Sequence, residues 1–156
     1  MAYKLPIKVY SPDHIRFCIE ELESYAGALD KDARGSTNAG SWGLSSESSA
    51  LVEMLPKAKK DDPEAMRALV EWLNGYLSAS RVIGITLAAP GSHKLKEELV
   101  TWLRENVAKD ILVEFSVNPD IAGGMVMRST NRIYDMSFRS LLLNKPERFT
   151  RILENV

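Results

Sequence analysis

Residues 112–143 read LVEFSVNPDIAGGMVMRSTNRIYDMSFRSLLL, and the order of signals within them decides the fold. Val113, Phe115 and Val117 alternate with Glu114 and Ser116, the period-two pattern of a strand with one buried face. Pro119 and the pair Gly123-Gly124 then interrupt the chain, proline by fixing φ and the glycines by supplying the positive φ of a tight return. Met125 to Arg128 makes a second strand, Ser129-Thr130-Asn131 a turn, and Arg132 to Asp135 a third strand. Ser137 is a good helix N-cap for Phe138-Arg139-Ser140-Leu141-Leu142. The stretch predicts strand, Gly-Gly corner, hairpin and helix.

This order resembles the C-terminal domain of the delta subunit of F-type ATP synthases, the relative of the mitochondrial oligomycin-sensitivity-conferring protein. That family carries a strand, an Asp-Pro corner, a hydrophobic-Gly-Gly step and a Val-rich strand ending in Arg. A hairpin then leads through Asp-Gly-Ser-hydrophobic-Arg into the last helix. The matching positions here are Asn118-Pro119-Asp120-Ile121-Ala122-Gly123-Gly124, Met125-Val126-Met127-Arg128 and Asp135-Met136-Ser137-Phe138-Arg139. Asn118, Ala122 and Met136 depart from the family pattern. The resemblance spans roughly Ile83 to Leu143 and makes Pro119, Gly123, Gly124, Arg128, Asp135, Ser137 and Arg139 the family-motif residues.

Upstream, Leu5, Ile7 and Val9 alternate around Pro6, as in a short strand or an extended arm. Ser11-Pro12-Asp13 opens an amphipathic helix to about Leu29, with Ile15, Cys18, Ile19, Leu22, Tyr25 and Ala26 on its stripe. A Gly/Ser segment, about residues 31–45, reads as a flexible connection in which Trp42 packs back onto a helix. A helix is expected from about Ser46 to Leu55, closed by Pro56 and the charged run Lys57 to Asp62. Asp62-Pro63-Glu64 starts the next, running to about Ser80 with Met66, Leu69, Val70, Leu73, Tyr76 and Leu77 inward. Ile83, Ile85 and Leu87 alternate as a strand, and Ser92 caps a helix to about Ala108 whose face is Leu95, Leu99, Trp102 and Leu103. Strand, crossover helix and strand form a compact unit that the hairpin extends. The fold class is therefore α+β: a reduced layer of about three helices (1–80), then a small α/β domain with a hairpin and a C-terminal helix (81–156).

Composition narrows function mainly by exclusion. The chain has 156 residues, 45% of them hydrophobic, enough to bury a core, and a net charge of −1 gives no case for nucleic acid. Cys18 is alone, so the chain forms no internal disulfide. No apolar run approaches the ~18 residues of a membrane span, and the first residues lack signal- or transit-peptide character. A soluble protein is expected, with any membrane link through a partner and no direct insertion.

The chemistry of catalysis or cofactor binding is not visible. Gly91-Ser92-His93-Lys94 follows a strand and opens a helix, but lacks the glycine spacing that wraps a phosphate. His14 and His93 have no metal-ligand companions at suitable spacing, and His14 reads as a solvated face residue. The carboxylates Glu20, Glu21, Glu23, Glu97 and Glu98 read as solvated helix faces. Cys18 lies on the apolar stripe as an inert core thiol. An enzyme using Ser92 or His93 with Glu97 is the weakest reading, and no catalytic, cofactor or metal residue is expected.

The positive signal lies beyond Arg128, where Arg128, Arg132, Arg139, Lys145, Arg148 and Arg151 outnumber Asp135, Glu147 and Glu154. Interleaved with them are Phe138, Leu141, Leu142, Leu143, Phe149, Ile152 and Leu153. Three consecutive leucines cannot all face one small core, so apolar surface remains for a partner helix. Phe138, Leu141, Leu142, Phe149, Ile152 and Leu153 are the candidate partner-binding residues. The resemblance implies a non-catalytic peripheral-stalk subunit, working in the cytoplasm at the inner face of the cell membrane. It implies that the C-terminal domain grips the C-terminal end of the b subunit, and that the N-terminal helices hold the N-terminal segments of the alpha subunits. The family's N-terminal domain is a larger six-helix bundle, so no residue is carried over for that contact. The alternative is a stand-alone adaptor with a delta-like α/β fold.

Overall fold

The computed structural model describes residues 3–32 and 43–144. Three helices come first: α1 (Pro12–Asp32), α2 (Ser46–Val52) and α3 (Pro63–Ala79). Then follow β1 (Arg81–Leu87), α4 (His93–Asn106), β2 (Ile111–Val117), β3 (Gly124–Arg128), β4 (Ile133–Ser137) and α5 (Phe138–Asn144). This is the expected α+β arrangement. Most of the expected flexible segment, with Trp42, lies outside the described residues, as do Phe149, Ile152 and Leu153.

The helix starts form where local chemistry favours them. Ser11 Oγ accepts from the His14 amide at 3.1 Å, Asp62 Oδ1 from Glu64 at 3.0 Å and Ser92 Oγ from Leu95 at 3.2 Å. Each satisfies a first-turn N–H that the helix itself leaves unpaired. α2 ends at Val52, shorter than expected, and the chain continues through turns to Leu55, which still reaches the core. The helical core joins Ile15, Cys18 and Leu22 of α1, Leu51 of α2 and Met66, Leu69 and Leu73 of α3. Arg67 on α3 pairs with Asp30 on α1 across its surface.

The sheet order is β2-β1-β3-β4. β1 and β2 are parallel, with Ile83 beside Val113, as a crossover through α4 requires. β3 returns antiparallel on the other side of β1, placing Ile85 beside Met127, and β4 pairs antiparallel with β3. Ile83, Ile85 and Leu87 form a second core with Val100 and Leu103 of α4 and with Ile111 and Val113.

Two expectations about faces need correction. On β2, Ile111, Leu112 and Val113 are all buried, because α4 covers one side of the strand while Leu112 enters the helical core on the other. Val117 is exposed instead of continuing the buried row. On α4 the buried residues are Val100 and Leu103, whereas Leu95 and Trp102 are exposed. Residues 3–10 contain no strand and form an arm.

Candidate partner-binding surface

The residues that the resemblance marks, Arg128 apart, gather at one end of the sheet and build a corner. Asn118 Oδ1 accepts the Asp120 amide at 3.0 Å, starting a short 3-10 turn over Pro119–Ile121. The chain reverses through three consecutive positive φ angles: Ala122 at 59°, Gly123 at 135° and Gly124 at 75°. The sequence foresaw the two glycines but gave no sign of Ala122, since alanine rarely adopts this conformation. The Phe138 ring lies against Gly123 where a Cβ would stand, and the Phe138 amide donates to the Gly123 carbonyl at 3.0 Å. Asp135 Oδ1 accepts the Ser137 amide at 2.9 Å, and the buried Ser137 Oγ accepts the Ser140 amide at 3.1 Å. Hydrogen bonding to Ser137, its hydroxyl first and then its amide, with Arg139 nearby, holds the Asp135 carboxyl below its ordinary pKa. Pro119, Gly123, Gly124, Asp135, Ser137 and Arg139 thus meet around the start of α5, while Arg128 stands at the far end of β3.

On α5, Phe138 is 53% exposed and Leu141 44%. Leu142 is on the same helix. A second apolar surface lies elsewhere. Val100 and Leu103 set α4 against β1 and β2, so the β3–β4 half of that sheet face has no comparable cover from this helix. An open groove of about 660 Å³ results, bounded by Trp102 and Val107 at the α4 side and by Met127, Tyr134 and Met136 on the hairpin. Trp102 is 54% exposed, Ile133 65% and Tyr134 48%. Sequence reading missed this groove by assigning Trp102 to the buried face of α4. The one legible signal was the run of large apolar residues on so short a hairpin.

The other candidates serve structural roles. Ser92 Oγ caps α4. His14 is not simply solvated: its Nδ1 is 3.1 Å from the Lys8 carbonyl, and its ring leans on Tyr10 at 4.6 Å. Glu21 also leaves the solvated role, its carboxylate accepting the Ser45 amide at 3.0 Å and hydroxyl at 2.6 Å to tie α2 to α1. Burial pushes the Cys18 thiol above its ordinary pKa, as an inert core position does. Among the described residues no His/Cys/Asp/Glu group could hold a metal ion. No helix among them is long and apolar enough to cross a membrane.

Residues 63–147 match the family model described as ATP synthase delta (OSCP) subunit, a span that starts at α3, earlier than the motifs suggest. The chain is 32% identical over 127 residues to ATP synthase subunit delta of Methylobacterium radiotolerans, covering 81% of this chain and 62% of that protein. It is 29% identical over 122 residues to the subunit of Nitrobacter hamburgensis, covering 78% and 61%. With that of Zymomonas mobilis it shares 35% over 66 residues, covering 42% and 36%. The chain thus spans about three fifths of the length of the first two relatives. A family model that covers more than half of the chain establishes that the chain belongs to the ATP synthase delta (OSCP) family.

Proposed function

We propose that this chain is a non-catalytic peripheral-stalk subunit of a proton-translocating F-type ATP synthase. Its α/β part (81–156) grips the C-terminal end of the b subunit, and its helical part (1–80) meets the N-terminal segments of the alpha subunits on the catalytic head. The chain then works in the cytoplasm, held at the inner face of the membrane through the complex.

Family membership supports the complex, and the open apolar groove is the observation that carries the docking role. A helix is the natural occupant of a trough between a helix flank and a hairpin. Five-residue β4 runs for about 17 Å, which matches roughly eleven residues of helix. Phe138 and Leu141 extend the apolar surface along α5, and Leu142, Phe149, Ile152 and Leu153 continue the pattern in the sequence. Burying one Leu or Phe contributes about 1.5–3 kcal/mol, whereas an exposed ion pair contributes ~0–1 kcal/mol and weakens with salt. A contact that holds under sideways load needs the first kind.

The test is calorimetric titration of the complete chain with the C-terminal peptide of the b subunit from the same organism, at low and moderate salt. Binding that persists at moderate salt is expected. Tyr134→Ser, Leu141→Ser or deletion of residues 144–156 should each weaken it about tenfold or more, with the α/β unit still folded by circular dichroism. Absence of binding by the intact chain overturns the stalk reading.

A further inference from the structure

We infer that residues 3–10 are a strap that locks the helical layer onto the sheet, and that Arg104 is its buckle. Arg104 lies on α4 and its guanidinium donates to four carbonyls. Nη2 reaches Val9 at 2.9 Å, Nη1 reaches Pro6 at 3.2 Å and Leu5 at 3.3 Å, and Nε reaches Ile111 at 3.5 Å. Among the described residues it makes no ion pair with a carboxylate within 4 Å. A half-buried cation committed to main-chain oxygens fixes the path of a segment that has no strand or helix of its own.

That segment touches both cores. Leu5 and Val9 belong to the helical core, while Ile7 and Tyr10 pack on the sheet core. The Tyr3 ring meets Trp72 of α3 at 5.3 Å, and the Tyr10 ring meets Phe115 of β2 edge-on at 5.6 Å. The Val113 amide donates to the Tyr10 carbonyl at 2.7 Å, so the arm also occupies the outer edge of β2. Apart from the arm, β2 supplies Leu112 alone to the helical core. Lifting the arm would free the outer edge of β2 and withdraw Leu5 and Val9 from the helical core and Tyr10 from the sheet core, while α1, α3 and Leu112 still hold the centre of the first and β1 and α4 that of the second. This inference is independent of what the layers bind.

Native-state hydrogen exchange on the complete chain, parent against Arg104→Met, tests it. Methionine keeps an apolar stem and removes every donor. The Val113 amide, whose partner is the arm, should lose protection at least about tenfold, because charge-assisted bonds anchor that arm. The amides of Leu69 in α3 and Ile85 in β1 should keep most of theirs. Parent-like protection of Val113 in the variant overturns the strap, and so does a loss shared equally by Leu69 and Ile85. If Arg104→Met does not fold, the parent alone decides. A strap predicts that Val113 exchanges with a shallower denaturant dependence than Ile85, and equal dependence refutes it.

Discussion

Replacing Gly124 by alanine should unlock the end of the β3–β4 hairpin. The residue sits at φ 75°, where an L side chain costs about 1–2 kcal/mol. Its new Cβ would overlap the Met136 carbonyl oxygen and stand 3.2 Å from Ser137 Cα and 3.3 Å from the Met136 carbonyl carbon. All three obstacles are backbone, so no rotamer relieves them. The two strands must part where Gly124 faces Ser137, and the adjoining Phe138-to-Gly123 hydrogen bond, 3.0 Å long, is strained with them. Losing that bond adds about 1 kcal/mol. The expected cost is therefore about 2–3 kcal/mol. For a chain of this size it lowers the melting temperature by roughly 4–12 °C, at 2–4 °C per kcal/mol. Urea titration and thermal melts of parent and variant measure it. Overlaying curves would refute the corner as described, because neither the strain nor the overlap can then exist.

Two further substitutions test the helical layer. Gly75 lies inside α3 with nothing within 4 Å of a Cβ, so Gly75→Ala should add about 0.5–1 kcal/mol, and a lower melting temperature would contradict the open site. For Glu21, burial pushes the carboxyl pKa up, but the Ser45 hydroxyl and amide bonds outweigh it and the net shift is downward. A lowered folded pKa stabilises above the unfolded value, about 4.3, and the gain is lost as pH falls through the folded pKa. The stability difference between the parent and Glu21→Gln should therefore shrink as the solution is acidified below about pH 4.3. A difference that stays constant from neutral pH to pH 3 would show that the Ser45 bonds do not favour the charged form.

The parts of the fold legible from sequence are those decided within a few residues. Ser11-Pro12, Asp62-Pro63 and Ser92 each start a helix because the cap and the first turn are neighbours in the chain. Gly123 and Gly124 announce a reversal for the same reason, and β1 keeps its alternation because one covering layer decides its buried face. What stayed hidden depends on distant partners. Leu112 is buried because the helical layer reaches β2, and Ala122 adopts a left-handed φ inside a corner fixed by its neighbours. Glu21, His14 and Arg104 look like ordinary surface residues until Ser45, Lys8 and the arm are brought to them.

The groove follows from the connection order more than from any motif. A parallel pair needs a crossover, and one crossover helix covers about two strands, here β1 and β2. Adding β3 and β4 by an antiparallel return widens the sheet without bringing another crossover helix. Met127, Tyr134 and Met136 share a face by register with Ile85 and Ile83, so the apolar face continues past the edge of the α4 contact. In a self-contained domain such residues would be polar, giving the inside–outside alternation of a half-solvated hairpin. β4 instead carries Tyr134 and Met136 exposed on that face. Trp102 and Val107 extend the same surface onto α4. Trp102, Val107, Tyr134 and Met136 line one groove together, and such contiguity, unlike scattered surface hydrophobics, is what the proposed docking of a helix requires.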